Sequence, residues 1–225
     1  MKQEKVKNME KDRKEVIIWI GAGEIGLAII RRIGTGKQII VADKSLEKAQ
    51  NVACLLKNIG FDVVAIMADL SSRSSILSLI DEALKYGEIK CLVNSAGVSP
   101  SQASIETILK VDLYGTAVLL EEVGKVIAHG GSGITISSQS GHRLPALSPE
   151  TDELNGIRGE FYKNMFAQCP ASRPGTADEI AHLAELILSE KGAFITGSDF
   201  LIDGGATASY FYGPLNPNKN GRNQN

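Results

Sequence analysis

"VIIWIGAGEIGLAII" (16–30) is the stretch that decides the fold. Its first five residues are β-branched or aromatic, too few for a helix and suited to a buried strand. They run straight into Gly21-Ala22-Gly23-Glu24-Ile25-Gly26, after which Ile25, Ala28, Ile29 and Ile33 recur at helical spacing. Strand, glycine turn and helix in that order form the context a phosphate-binding turn requires. Gly21 permits the tight turn, Gly23 lets backbone approach a pyrophosphate, and Gly26 lets helix pack close on strand. The helix N-terminus then offers free N–H groups to the anion.

Outward from this turn the same alternation repeats. "IIVA" (39–42) reads as a second strand, and Ser45 can cap a helix with Leu46, Ala49, Val52, Ala53 and Leu56 on one face. "DVVAIM" (62–67) is a third strand, followed by a helix bearing Ile76, Leu79, Ile80, Ala83 and Leu84 that stops near Gly87. "CLV" (91–93) and "ITIS" (134–137) make strands four and five, with one long helix expected over 104–128. Continuous apolar strands alternating with helices imply an α/β, doubly wound parallel sheet covered on both faces. After Pro170, Thr176 and Glu179 have capping-box spacing, and Ile180, Leu183, Ala184, Ile187 and Leu188 form a helical face. "AFITGSDFLI" (193–202) is expected to be the last strand. Between Ser140 and Pro170 nothing reads as a strand, and a short helix near 157–167 is the only regular element expected there.

Composition narrows the class. The 225 residues are 43% apolar, enough for one core, and the formal charge of −2 gives no reason to expect nucleic acid or an anionic membrane. Cys54, Cys91 and Cys169 are odd in number and far apart, so free thiols are expected. His129, His142 and His182 are scattered, without metal-binding spacing. The charged N-terminus (1–15) lacks the apolar run of a signal peptide, and no stretch approaches the ~18 apolar residues of a membrane span. A soluble, cytoplasmic protein is expected, with one domain over 16–207 and a polar C-terminal tail from 208 to 225. Tyr210, Phe211 and Tyr212 stand out in that tail as a substrate-side cover, a subunit contact or a staple to the core.

Seventeen residues past Gly26, Asp43 ends strand two, where a carboxylate can accept from a ribose hydroxyl. It favours NAD over NADP, because a 2′-phosphate would meet a like charge, although Lys44 beside it blunts the argument. The glycine pattern alone is also compatible with a tight turn in any α/β protein, or with a methyltransferase that binds S-adenosylmethionine.

Further along, "ADL" (68–70), "NSAG" (94–97), "ISS" (136–138), "SRPGTADEIA" (172–181) and "ITGSDFLIDGG" (195–205) follow in order. With these the chain resembles the short-chain dehydrogenase/reductase family over 16–149 and 157–207. The resemblance implies hydride transfer between a nicotinamide cofactor, NAD before NADP, and an alcohol or ketone, in a homo-oligomer. It places Gly21, Gly23, Ile25, Gly26 and Asp43 on the cofactor, with Asp69 and Leu70 bordering adenine. Asn94, Ala96 and Gly97 would form a floor of small residues under ribose and nicotinamide. Ser138 would hydrogen-bond the substrate oxygen. Asp112 falls where the family keeps an asparagine that holds a water in its proton relay.

The family also uses a tyrosine as proton donor and a lysine four residues later on the same helix face. No such pair follows Ser138. Tyr162 is followed directly by Lys163, and adjacent helical residues point about 100° apart. Tyr86 and Lys90 have the spacing but precede strand four, and read as coincidence. An internal segment, on the order of 70 residues by family length, is expected to be missing near 150–156. Three readings follow: an active reductase whose sequence omits that segment, a shortened relative that binds a nucleotide or a partner, and, least favoured, a methyltransferase. As written the chain should be inactive. The last strand should pair with strand five or leave an open edge, and Leu113, Ala117 and Leu120 should lie exposed.

Overall fold

The computed structural model describes residues 14–99, 102–138 and 165–216. The strands β1 (Glu15–Ile20), β2 (Gln38–Asp43), β3 (Asp62–Met67), β4 (Glu88–Asn94) and β5 (Ser132–Thr135) form one parallel sheet. Their order is β3-β2-β1-β4-β5, so the path reverses direction at β1. The crevice beyond the carboxyl ends of β1 and β4 is therefore the switch point, where doubly wound sheets bind ligands.

Residues 16–20 are wholly buried because β1 has a strand on each side and helices on each face. Successive side chains alternate between faces. Ile18 and Ile20 meet α3 (Arg73–Leu84) and α5 (Thr116–Gly124) through Ile76, Leu79 and Leu119. Ile17 and Trp19 meet α1 (Glu24–Ile33), α2 (Leu46–Lys57) and α6 (Ala177–Leu188) through Ile29, Leu56 and Ala184. Each fully buried side chain of this size contributes about 1.5–3 kcal/mol. The expected caps form: Ser45 accepts from the Lys48 N–H, and Thr176 and Glu179 make both halves of a capping box.

Three elements differ from expectation. The helix expected over 104–128 is divided into α4 (Ile105–Ile108), a π-helical stretch (Leu109–Gly115) and α5, which ends at Gly124. At the junction Gly115 lies so close to the Leu70 carbonyl that a side chain has no room. β5 ends at Thr135, two residues early, although the Ile136 N–H still donates to the Asn94 carbonyl at 2.8 Å.

The third difference is the largest. Residues 193–202 form no strand, and Phe194, Phe200, Leu201 and Ile202 are exposed. An apolar segment of this kind becomes a strand only beside another strand, since β-propensity is mostly packing against neighbours. Among the described residues nothing pairs with the outer edge of β5, so both that edge and this segment are left open.

Leu113, Ala117 and Leu120 are exposed, as expected. The final helix, α7 (Ala206–Tyr212), crosses the expected start of the tail and carries all three aromatics, with Tyr210 and Phe211 edge to face at 5.3 Å. Residues 165–168 are helical, while the rest of the helix expected near 157–167 and the junction near 150–156 lie outside the described residues. Among the described residues no helix is long and apolar enough to cross a membrane, and no cluster could hold a metal ion.

Candidate functional site

The glycine turn sits at the switch point. Gly21 adopts φ +88°, and a Cβ there would lie 2.5 Å from the Ala96 nitrogen, so only glycine fits between the two loops. Its N–H donates to the Ala42 carbonyl at 2.9 Å, while Gly23 N–H closes back onto Gly21 at 2.8 Å. Space above Gly23 is open, and α1 begins there without a side-chain cap. The first N–H groups of α1 are thus left to an external acceptor. Ile25 is half-buried against the α1 face of the core.

Asp43 is tied to the turn. One carboxylate oxygen accepts from Ala22 N–H at 3.0 Å and the other from Ser45 N–H at 2.9 Å. A carboxylate has about four acceptor positions, so two remain for a ligand hydroxyl. Asp69 Oδ1 accepts from the Ser71 hydroxyl at 2.7 Å and the Ser71 N–H at 2.9 Å. Its Oδ2 lies 3.3 Å from Lys44 Nζ. These contacts, Ser71 foremost, hold its pKa below the ordinary value despite partial burial. The neighbouring Leu70 side chain is buried in the core against α3 and α5, so it packs rather than lines the crevice.

At the end of β4, Asn94 is wholly buried; it donates to Thr116 Oγ1 at 3.3 Å and accepts from Ala96 N–H at 3.3 Å. A Cβ on Gly97 would stand 3.5 Å from Asp112 Oδ1, which accepts from Val98 N–H at 3.0 Å. Burial pushes the Asp112 carboxyl upward, and the Val98 N–H opposes that shift. Asp112 lies in the π-helical stretch, so its bond to Val98 ties that stretch to the residue that follows the NSAG loop. Sequence reasoning passed over Trp19, Ser95, Thr116 and Ser71, which support these loops from behind. None of them stands at a fixed spacing from the glycine turn, so no sequence signal marks them.

Ser138 lies three residues past β5, exposed, on the rim of a cleft of about 1340 Å³. That cleft runs between β5, α6 and residues 189–202, and contains none of Gly21, Asp43 or Asn94. It is the gap beside the open edge of β5 rather than the crevice over the glycine turn, which is identified by its backbone geometry. Cys91 also faces the gap, where burial pushes its thiol up to about 12, leaving it inert. Tyr86 precedes β4 and Lys90 lies in its first half, at the end of the sheet opposite the crevice, where Lys90 donates to the His129 carbonyl at 2.8 Å. None of Cys54, Cys91 and Cys169 is joined in a disulfide.

The short chain dehydrogenase family model matches residues 14–149, well over half of the chain. The chain belongs to the short-chain dehydrogenase/reductase family. A second family model, described as enoyl-(acyl carrier protein) reductase, matches residues 147–207. A short-chain dehydrogenase/reductase of Alternaria brassicicola is 28% identical over 264 positions, spanning 87% of this chain and 96% of that protein. The 7alpha-hydroxysteroid dehydrogenase of Bacteroides fragilis is 28% identical over 246 positions, spanning 87% and 95%. Among solved structures, a short-chain dehydrogenase/reductase from Serratia marcescens superposes with a TM-score of 0.72 at 23% identity, covering 86% of this chain and 98% of that one. A blue fluorescent protein from a metagenomic library, solved with NADPH, gives a TM-score of 0.71 at 18% identity, covering 85% and 97%. The family is one of oxidoreductases that bind NAD or NADP, and the methyltransferase reading falls away.

Proposed function

We propose that this oxidoreductase holds NAD at the turn Gly21–Gly26 and that the chain as written cannot complete carbonyl reduction. The observation that carries the first half is the open space over Gly23 beside an uncapped α1, with Asp43 bonded to the same turn. The residues present fit a dinucleotide: N–H groups of α1 for the pyrophosphate, Asp43 for the adenosine ribose, and the Asn94–Gly97 loop for the nicotinamide half. When bound, nicotinamide supplies or accepts the hydride. Asp43 favours NAD, because a 2′-phosphate would approach a carboxylate already fixed by two N–H donors. Asp69 keeps Oδ2 for the adenine amino group if Lys44 swings away.

For the chemistry, Ser138 would hold the substrate oxygen, and Asp112 would accept a hydrogen bond beside Gly97. No residue after Ser138 supplies the family's tyrosine with a lysine four residues on. Loss of a general acid costs about 10²–10⁴ in rate. We attribute the loss to an internal segment absent between Pro149 and Ile157. The Alternaria alignment has 264 positions, yet 87% of 225 residues is only about 196, so roughly 68 positions of the alignment face no residue of this chain. The two family models also meet at residues 147–149, and the strand that should follow the gap fails to pair.

Calorimetric titration with NAD and NADPH, followed by NADH oxidation with a panel of ketones, tests this reading. NAD binding with no turnover is expected. Failure to bind either dinucleotide would remove the nucleotide reading, and turnover by the 225-residue chain would remove the inactivity reading. Intact mass of the protein from its native source tests the gap: 24.0 kDa would show a shortened relative that keeps a binding site, and several kDa more would show the segment restored.

A further inference from the structure

We infer that Trp19 and Ser95 are positioning residues that set the glycine turn for a pyrophosphate, an inference that rests on the nucleotide reading above. Trp19 is fully buried on the α1 side of β1. Its indole Nε1–H donates to Ser95 Oγ at 3.0 Å. The Ser95 hydroxyl in turn lies 2.9 Å from the Gly21 carbonyl and 3.1 Å from the Ile20 carbonyl, so its single proton is shared between them. Ser95 N–H donates to the same Ile20 carbonyl at 2.8 Å.

The other end of the turn rests on the same pair. A Cβ on Gly26 would run into the Trp19 indole nitrogen and stand 2.5 Å from Ser95 Oγ. Two side chains therefore touch both ends of the six-residue turn: the entrance through the Gly21 carbonyl, and the first turn of α1 beneath Gly26. The free N–H groups lie between those two points. The height of α1 over the strand is set by the indole edge, and the tilt of the Gly21 peptide by the serine hydroxyl. Neither residue faces the open space over Gly23, so both act through the backbone.

A buried tryptophan can also simply fill space, and the test separates the two roles. Ser95→Ala leaves every apolar contact of Trp19 in place and removes only the hydroxyl; Trp19→Phe keeps a ring and removes only the N–H donor and the second ring's bulk. Binding of ADP-ribose, which carries the pyrophosphate, is compared with binding of adenosine, which meets only Asp43 and its surroundings. Thermal midpoints of all forms are measured alongside, and Trp19, the only tryptophan of the chain, reports the fold of Ser95→Ala by its emission. The dissociation constant for ADP-ribose is expected to rise about tenfold in both variants, the size of one lost hydrogen bond, with adenosine changed less than about twofold. Ser95→Thr, which keeps the hydroxyl, should recover most of the loss. Equal weakening of both ligands in step with a lowered midpoint would assign Trp19 and Ser95 to packing alone and overturn the inference. Unchanged ADP-ribose affinity in Ser95→Ala would overturn it as well. If the unsubstituted protein binds neither ligand, the nucleotide reading itself fails first.

Discussion

Residues 15–94 and residues 132–216 begin from the same pattern of apolar runs between amphipathic helices, but only in the first does every such run pair as a strand. In the first, β1 has strands on both sides and every one of its residues from Val16 to Ile20 is buried. In the second, among the described residues, β5 has four residues, one neighbour and an open outer edge, and the apolar segment 193–202 lies beside a cleft instead of a strand. The two segments do not differ in propensity: "VIIWI" and "FLI" are equally suited to a sheet. They differ in what stands next to them. A strand is a property of a pair, and where one partner is missing the other stays a loop.

The sharpest way to break this comparison is to supply the partner. Inserting the corresponding internal segment of the Alternaria relative between Pro149 and Ile157 should raise ketone-dependent NADH oxidation by about 10²–10⁴ over the parent chain. It should also protect the backbone amides of 193–202 from hydrogen exchange. Exchange of that segment as fast in the insertion variant as in the parent would show that its loop state has another cause.

A stability pair measures the same contrast. Ile18→Ala empties a fully buried position on the central strand and should cost about 2–5 kcal/mol. Phe194→Ser, at a fully exposed position, should fall within about 0.5 kcal/mol. Urea denaturation reads both. A loss above about 2 kcal/mol from Phe194→Ser would mean that this ring is covered in solution, and the open edge would no longer describe the protein.

How far the sequence was legible follows the same division. β3 was read to the residue, and β1, β2, β4 and the caps at Ser45 and Thr176 to within a few, because local pattern and tertiary pairing agree there. Residues 193–202 were misread because apolar runs record only readiness to pair; whether a strand stands beside them leaves no mark within the run itself, and among the described residues none does. The division of the 104–128 helix was also hidden. At its junction Gly115 packs against the Leu70 backbone, 45 residues away in the chain, a contact that periodicity does not register. In the site, the tight turn at Gly21 and the close packing at Gly26 were legible because each is a fixed backbone job, whereas the bonds of Asp43 to Ala22 and Ser45 were not. Trp19 and Ser95 were not, because a residue that supports a turn from behind has no fixed spacing from it.

Within the fully paired region, Gly26→Ala probes how tightly the turn is seated. The new methyl would press on the Trp19 indole and on Ser95 Oγ, and overpacking of this kind costs about 1–3 kcal/mol. The matched change Gly23→Ala meets open space and should cost less in stability while obstructing the dinucleotide. Denaturation midpoints and NAD titration of the two variants should therefore rank in opposite orders: Gly26→Ala the less stable, Gly23→Ala with the larger share of its effect in binding. The same rank in both measurements would show that helix seating and ligand approach are not separate functions of these glycines.

The smallest effect lies at the seam between the regions, where Asp112 holds the Val98 N–H. Burial raises the folded pKa of Asp112 above its ordinary 3.8, and the Val98 N–H only partly offsets this. The folded protein thus binds the Asp112 proton more tightly than the unfolded chain. Its contribution is most favourable below 3.8 and is lost as pH rises through the folded pKa, leaving a constant penalty above it. Asp112→Asn keeps an acceptor for Val98 and does not titrate. The stability of the parent relative to Asp112→Asn should accordingly fall with rising pH across that acid window and then level off. The change should be under about 1 kcal/mol, since the carboxylate is partly solvated and screened. Urea denaturation of both proteins between pH 3.5 and 7 gives the curve. A difference that instead grows in favour of the parent as pH rises would mean that the ionised carboxylate is stabilised at the seam, and that its bond to Val98 outweighs its burial.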